Sequence, residues 1–146
     1  MDGLKIAIEQ DEGKEPQQIH PLLKNVRCFN ELLIAYIGVS PSNPVTPLDG
    51  SHITTSLIGL LQSSRGSVKL NSSHPNDNPV IDPQYFSTNV DSYTMREGLR
   101  TIARLILKTP QGSELIENET PPDNFAPVSL NSLNDYLDAR VRASTM

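Results

Sequence analysis

Proline sets where regular structure can form in this chain. Twelve of the 146 residues are proline, well above the average of about 5%. Three fall within residues 40–50 (Pro41, Pro44, Pro47) and three within 111–131 (Pro121, Pro122, Pro127). No helix or central strand survives that density, so both stretches read as loop or connector. Residues 72–78, with Asn and Asp around Pro75, read as a tight polar turn. Pro79-Val80-Ile81-Asp82-Pro83 reads as extended, because a residue that precedes proline is pushed out of the helical region.

What lies between the prolines must supply the core. Hydrophobic residues are 36% of the chain and there is no Trp, so the core is modest and loops are abundant. The length suits one domain or a piece of a larger one. A net charge of −5 gives no general field for nucleic acid or an anionic membrane. The longest apolar stretch, 32–39, is far short of the roughly 20 residues that span a bilayer. Charges interrupt the first residues before an apolar region forms. No signal peptide is therefore expected and a cytoplasmic location is the default. One cysteine, Cys28, excludes an internal disulfide and any multi-cysteine zinc site.

Residues 11–18 (Asp-Glu-Gly-Lys-Glu-Pro-Gln-Gln) read as a loop with nothing to face a core. Residues 29–39 are apolar and suit a strand or a short helix, ended by Gly38 and Pro41. Residues 52–62 read as a buried strand, apolar on both sides towards its end. Ser63-Ser64-Arg65-Gly66 reads as a turn into a half-buried strand, with Val68 and Leu70 inward and Lys69 outward. The expectation is a hairpin over 52–71. The clearest helix starts at an Asp91 N-cap and ends near Pro110. Met95, Leu99, Ile102 and Ile106 form its apolar stripe, and Arg96, Arg100, Arg104 and Lys108 a basic one. A last helix is expected from Ser132, with Asp135 completing a capping box and Leu133, Leu137 and Val141 on one face beside Tyr136.

No complete catalytic constellation emerges. None of the eight glycines stands two residues from another, so the Gly-x-Gly-x-x-Gly dinucleotide fingerprint is absent. Gly13-Lys14 runs into Glu15, which repels a phosphate. His20, His52 and His74 sit in three separate segments, none paired at helical spacing. Each reads as a surface or turn histidine, with His52 the strongest candidate base and His74 the weakest. Ser63-Ser64-Arg65-Gly66-Ser67 does not fit a nucleophile elbow. Arg27 beside Cys28 can lower a thiol pKa, but a lone thiol in an apolar run reads as packing. The basic stripe reads as a solvated face with local ion pairs, such as Glu97 with Arg100. Two glycosylation sequons occur, at Asn71 and Asn118, and without a signal peptide both are expected to go unused unless the true N-terminus lies upstream. No residue is assigned as catalytic, cofactor-binding or metal-binding.

From Ser64-Arg65-Gly66-Ser67-Val68 onward the chain resembles the C-terminal region of the glucose–methanol–choline (GMC) oxidoreductases. Pro79-Val80-Ile81-Asp82-Pro83-Gln84-Tyr85-Phe86 follows, then Asp91, then Glu97-Gly98-Leu99-Arg100, in the family's order. The tail Asp135-Tyr136-Leu137-Asp138-Ala139-Arg140-Val141-Arg142 resembles the helix before the family's catalytic histidine. Leu48-Asp49-Gly50-Ser51-His52-Ile53 is similar to fungal members of the aryl-alcohol type. The likeness covers 48–146, read as a C-terminal domain fragment. Residues 1–47 are left as a poorly assigned segment of strand plus proline-rich loop.

The resemblance implies an α+β fold, an antiparallel β-sheet backed by helices, as an incomplete substrate-binding domain. Gly66, Arg65 and Asp82 read as scaffold: a turn, a tie to carboxylate or carbonyls, and an acceptor for backbone amides. The family's chemistry is hydride transfer from an alcohol carbon to FAD while a histidine takes the hydroxyl proton. The sequence contains no His-x-x-Gly-Thr motif of the kind that carries that histidine. The chain is therefore expected to be a fragment that neither binds FAD nor turns over alcohol alone. The alternatives are a non-catalytic module pairing with a separate flavin-domain chain or paralogue, and a truncated gene product without activity. No nucleic acid, membrane or metal partner is expected.

Overall fold

The computed structural model describes residues 2–24, 27–38 and 45–144. The fold is α+β, with helices and two small antiparallel sheets. The chain divides into two compact units, one of Met1–Arg27 with Leu61–Tyr93, the other of Cys28–Leu60 with Thr94–Met146.

The first unit opens with a helix that the sequence reading did not anticipate, α1 (Asp2–Glu12). Its apolar residues are few, and a core on only one side is enough to fix it. Ala7 and Ile8 are buried against Val90, with Leu4, Leu22, Leu23 and Tyr93 around them. Full burial of an Ile such as Ile8 contributes about 2 kcal/mol. Gly13 ends α1 at φ +71°, and its amide donates to the Glu9 carbonyl at 2.8 Å, a left-handed helix stop. Pro16 is buried, so 11–18 does touch the interior, contrary to expectation. A 3-10 turn follows at Pro21–Leu23.

The expected hairpin over 52–71 does not form. β1 (Asn30–Ala35) pairs with β2 (Thr54–Gly59) in the second unit, from Asn30↔Gly59 to Ala35↔Thr54. In the first unit, β3 (Ser67–Lys69) pairs with β4 (Val80–Asp82), from Ser67↔Asp82 to Lys69↔Val80. The reason lies in 63–66, whose groups are committed elsewhere and cannot close a tight turn. Gly66 backs onto the Asp82 and Pro83 carbonyls, and a Cβ there would lie 2.7 Å from the Pro83 oxygen. Strand β2 is half-buried rather than buried on both faces, with Ile58 exposed. Val68 and Leu70, expected inward, are 70% and 87% exposed.

Helix α2 (Asn89–Lys108) carries the expected apolar stripe, with Met95 and Ala103 buried and Leu99, Ile102 and Ile106 half-buried. A helix interior glycine costs about 1 kcal/mol relative to Ala. At Gly98 the Leu57 side chain of β2 occupies the space: a Cβ would come within 2.6 Å of Leu57 Cδ2 and make that side chain shift. Asn30 of β1 donates from Nδ2 to the Thr94 carbonyl at 2.7 Å, fixing the sheet on the same helix.

Thr109, expected at the helix end, starts a further short helix, α3 (Pro110–Leu115), by accepting from the Gly112 amide at 3.1 Å. The last helix, α4 (Asn134–Ser144), begins two residues later than expected. Ser132 caps nothing in it: its hydroxyl accepts from the Ser129 amide at 3.0 Å. Leu133 therefore precedes the helix and is 77% exposed, while Leu137 and Val141 are buried. The loop over 40–50 and the run of the last helix to Met146 fall partly outside the described residues.

Candidate functional site

The densest polar constellation of the first unit gathers on Asp91. The side chain is fully buried. One carboxylate oxygen accepts from the Ser63 amide at 2.7 Å and the Ser63 hydroxyl at 3.0 Å. The other accepts from the Ser64 amide at 3.1 Å and from the Ser64 hydroxyl. With its amide nitrogen facing the carboxylate, Gln62 adds donors at 3.0 and 3.2 Å. Burial raises the carboxyl pKa. The Ser64 hydroxyl, the two amides and the Ser63 hydroxyl outweigh it and hold Asp91 below the usual carboxylate value.

Asp91 is not the N-cap. That position belongs to Thr88, whose hydroxyl oxygen lies 3.3 Å from the Asp91 amide and whose carbonyl accepts from Ser92 at 3.2 Å. Ser63 Oγ is also 2.6 Å from Thr88 Oγ1. Asp11, at the end of α1, closes the same helix end: its carboxylate accepts from the Asn89 and Val90 amides at 2.8 and 2.9 Å. The sequence did carry a signal for Thr88, since Thr-x-x-Asp is a capping pattern. Nothing local pointed to Asp11, which lies 78 residues from Asn89.

The family-like motifs have structural tasks. Arg65 donates from one nitrogen to the Gln62 and Ser64 carbonyls, both at 2.8 Å, so it ties the turn to carbonyls. Asp82 accepts from the Gln84 side chain at 2.6 Å rather than from a backbone amide. In the second unit, Arg100 donates to Glu97 at 2.8 Å and to Asn134 Oδ1 at 2.7 Å, which joins α2 to the start of α4. Arg96 pairs with Asp138 at 3.0 Å across the same helices. Arg140 pairs with Glu119, whose other oxygen accepts from the Val128 amide at 2.6 Å. The guanidinium also lies 5.7 Å from the Phe125 ring centre. The Tyr136 hydroxyl donates to the Ala126 carbonyl. The connector before α4 is thus held down by residues of the tail motif.

The three histidines do not converge. His20 Nδ1 accepts from the Leu22 amide at 3.3 Å, which leaves the proton on Nε2 to face Glu12 at 2.9 Å. It caps the 3-10 turn. His74 lies 3.8 Å from Asp77 in an exposed turn. His52 Nδ1 is 2.7 Å from Ser51 Oγ, and that hydroxyl donates to Asp49. The order is Asp–Ser–His, with the serine in the middle. A triad needs the histidine in the middle, so that it can take the serine proton. Here the proton points at the carboxylate, and the group locks the turn at Gly50 (φ +82°). The Ser51 hydroxyl and amide hold the Asp49 pKa below its usual value. Cys28, expected to pack, is exposed, with Sγ 3.1 Å from the Asn30 carbonyl. Among the described residues no three His, Cys, Asp or Glu side chains come together as metal ligands. No helix among them is long and apolar enough to cross a membrane.

The GMC oxidoreductase C-terminal family model matches residues 62–146, from Gln62 beside the Asp91 network to the chain's last residue. The chain belongs to the GMC oxidoreductase family. A GMC-type oxidoreductase of Aspergillus aculeatus is 35% identical over 124 residues, 84% of this chain and 24% of that protein. An alcohol dehydrogenase (acceptor) of Pseudomonas putida is 34% identical over 97 residues, 66% of this chain and 17% of that protein. Pyranose dehydrogenase 2 of Leucoagaricus meleagris is 32% identical over 97 residues, 66% of this chain and 15% of that protein. The GMC chain thus spans about a quarter or less of the curated relatives it matches. No solved structure matches it significantly.

A flavin dinucleotide needs a seat for its pyrophosphate, and a helix N-terminus is the usual one. At α2 that seat is filled by the Asp11 carboxylate. The open cleft beside it, about 220 Å³, is lined by Ile8, Asp11, Glu12, Leu22, Ser63, Thr88 and Val90. It is smaller than the roughly 300 Å³ at which ligand pockets begin, and it presents two carboxylates where an anion would lie. These residues do not fit the cofactor.

Proposed function

We propose that this chain is a substrate-side, C-terminal piece of an FAD-dependent GMC oxidoreductase that oxidises the CH–OH group of an alcohol or sugar. On this reading the chain alone neither holds flavin nor oxidises an alcohol. The observation that carries it is the family match over 62–146 in a chain covering 24% of its Aspergillus relative. Three further observations support it: the Gly-x-Gly-x-x-Gly pattern is missing from the sequence, the N-terminus of α2 is closed by Asp11, and each histidine is engaged in a turn or cap. The contribution of these residues is scaffolding: the Asp91 network, the Gly66 crossing and the Arg100 clamp hold backbone in place.

The test is to purify the chain by gel filtration, record its visible absorbance, and assay alcohols and pyranoses with an artificial electron acceptor. The expected result is no flavin absorbance and no reduction of the acceptor. Flavin bands that co-elute with the chain overturn the reading.

A second reading is a non-catalytic module that pairs with a separate flavin-domain chain. The β3–β4 ribbon favours it: Val68 and Ile81 are cross-strand partners, both more than two-thirds exposed. A bare apolar ribbon favours association. Co-expression with a flavin-bearing GMC chain, followed by co-purification of flavin with both polypeptides, separates this reading from the first.

A further inference from the structure

We propose that, when this chain is in the secretory lumen, N-glycosylation uses Asn71 and passes over Asn118. Both asparagines start a sequon, Asn71-Ser72-Ser73 and Asn118-Glu119-Thr120. Both are exposed and lie outside helices and strands. Exposure therefore does not separate them, and the residues around them do.

The acceptor asparagine and the hydroxyl two residues on must fold towards each other, as in an Asx-type turn. Around Asn71 the chain already turns. The Ser72 hydroxyl accepts from the His74 amide at 2.9 Å and donates to Asp77 at 2.6 Å, and the Asp77 amide donates to the His74 carbonyl at 3.2 Å. None of these bonds uses the Asn71 amide group or the Ser73 hydroxyl. At the other sequon, Pro121 follows Thr120 directly. It drives Thr120 into the extended region and so opposes the turn. The middle residue there, Glu119, brings a negative charge next to the acceptor and is committed to Arg140 and the Val128 amide in the fold.

The step is a group transfer from a polyprenyl-pyrophosphate-linked oligosaccharide. Asn71 Nδ2 attacks C1 of the first sugar and an N–C1 bond forms. The C1–O bond to pyrophosphate breaks, and the polyprenyl pyrophosphate leaves with the electron pair. One amide proton passes to a base of the transferase. Nothing is oxidised or reduced. The resulting glycan stands two residues from the end of β3, where Val68 and Leu70 are bare, and shields them from self-association.

The test is to express the full chain behind a cleavable secretory leader in yeast, collecting both secreted and retained lumenal material. Glycans are removed enzymatically in heavy-oxygen water, and peptide mass spectrometry then reads which asparagine is marked. The expected wild-type result is a mark at Asn71 alone. Asn71→Gln and Ser73→Ala abolish the glycan, Asn118→Gln leaves it, and Pro121→Ala adds a second one at Asn118. Lumenal chain with no mark at Asn71, or wild-type chain marked at Asn118, overturns the proposal. Asn71 and Ser73 are both exposed, so the variants there keep the fold and still report.

Discussion

Asp91 stays ionised in a fully buried position because serine hydroxyls and amides take the place of water. Each hydrogen bond to a charged group contributes about 1.5–3 kcal/mol, and each buried donor left unpaired costs about 1–3 kcal/mol. Asp91→Asn keeps the shape but turns an NH₂ group towards donors. It is expected to destabilise the protein by about 3 kcal/mol near neutrality, read from the denaturant midpoint. The pH dependence has a fixed sign. The folded pKa lies below the unfolded value of about 3.9. The stabilisation is therefore complete above that unfolded value and is lost as pH falls through the folded one. The gap between wild type and Asp91→Asn should narrow over that acid window. A gap that stays constant there means that the carboxylate is not what the serines hold.

Helix α2 is closed at its start by two side chains from different distances along the chain, Thr88 from next door and Asp11 from α1. Asp11→Ala is expected to cost about 1–2 kcal/mol, and to speed amide exchange at Asn89 and Val90 while exchange in the middle of α2 is unchanged. Unchanged exchange at those two amides means that α1 does not hold the helix end. The same contrast explains what could be read from the sequence. Helix α2 was legible because the stripe from Met95 to Ile106 repeats through several turns, and β4 because prolines bracket it. Helix α1 was not, because it buries little more than Ala7 and Ile8, and their partner Val90 is some eighty residues on. Strand pairing failed for a related reason. Ser63 and Ser64 look like turn residues, but their hydroxyls and amides are spent on Asp91. At the site, the scaffold role of Gly66 and Arg65 was visible in the motif, whereas the tie from Arg100 to Asn134 and the reach of Asp11 were beyond any local pattern.

At the scale of the molecule, this GMC chain is threaded through two units. Each is made of two stretches of chain, and α2 contributes to both. The family match begins at residue 62, after α1, the 3-10 turn, β1 and β2 have all been made. A polypeptide of 62–146 alone would keep the family motifs from Ser64 onward and lose Ile8 from beneath Val90, Asp11 from the end of α2, and Leu57 from the notch at Gly98. It is expected to show little cooperative melting by circular dichroism, whereas the full chain melts as a folded protein; a sharp transition in the short piece contradicts this. The span of the family model and the piece able to fold are thus cut along different lines here, although the match to the Aspergillus relative reaches back over β1 and β2. Anyone trimming such a sequence to its recognisable portion would discard the pieces that let that portion stand, and would then mistake an artefact of the scissors for a property of the gene.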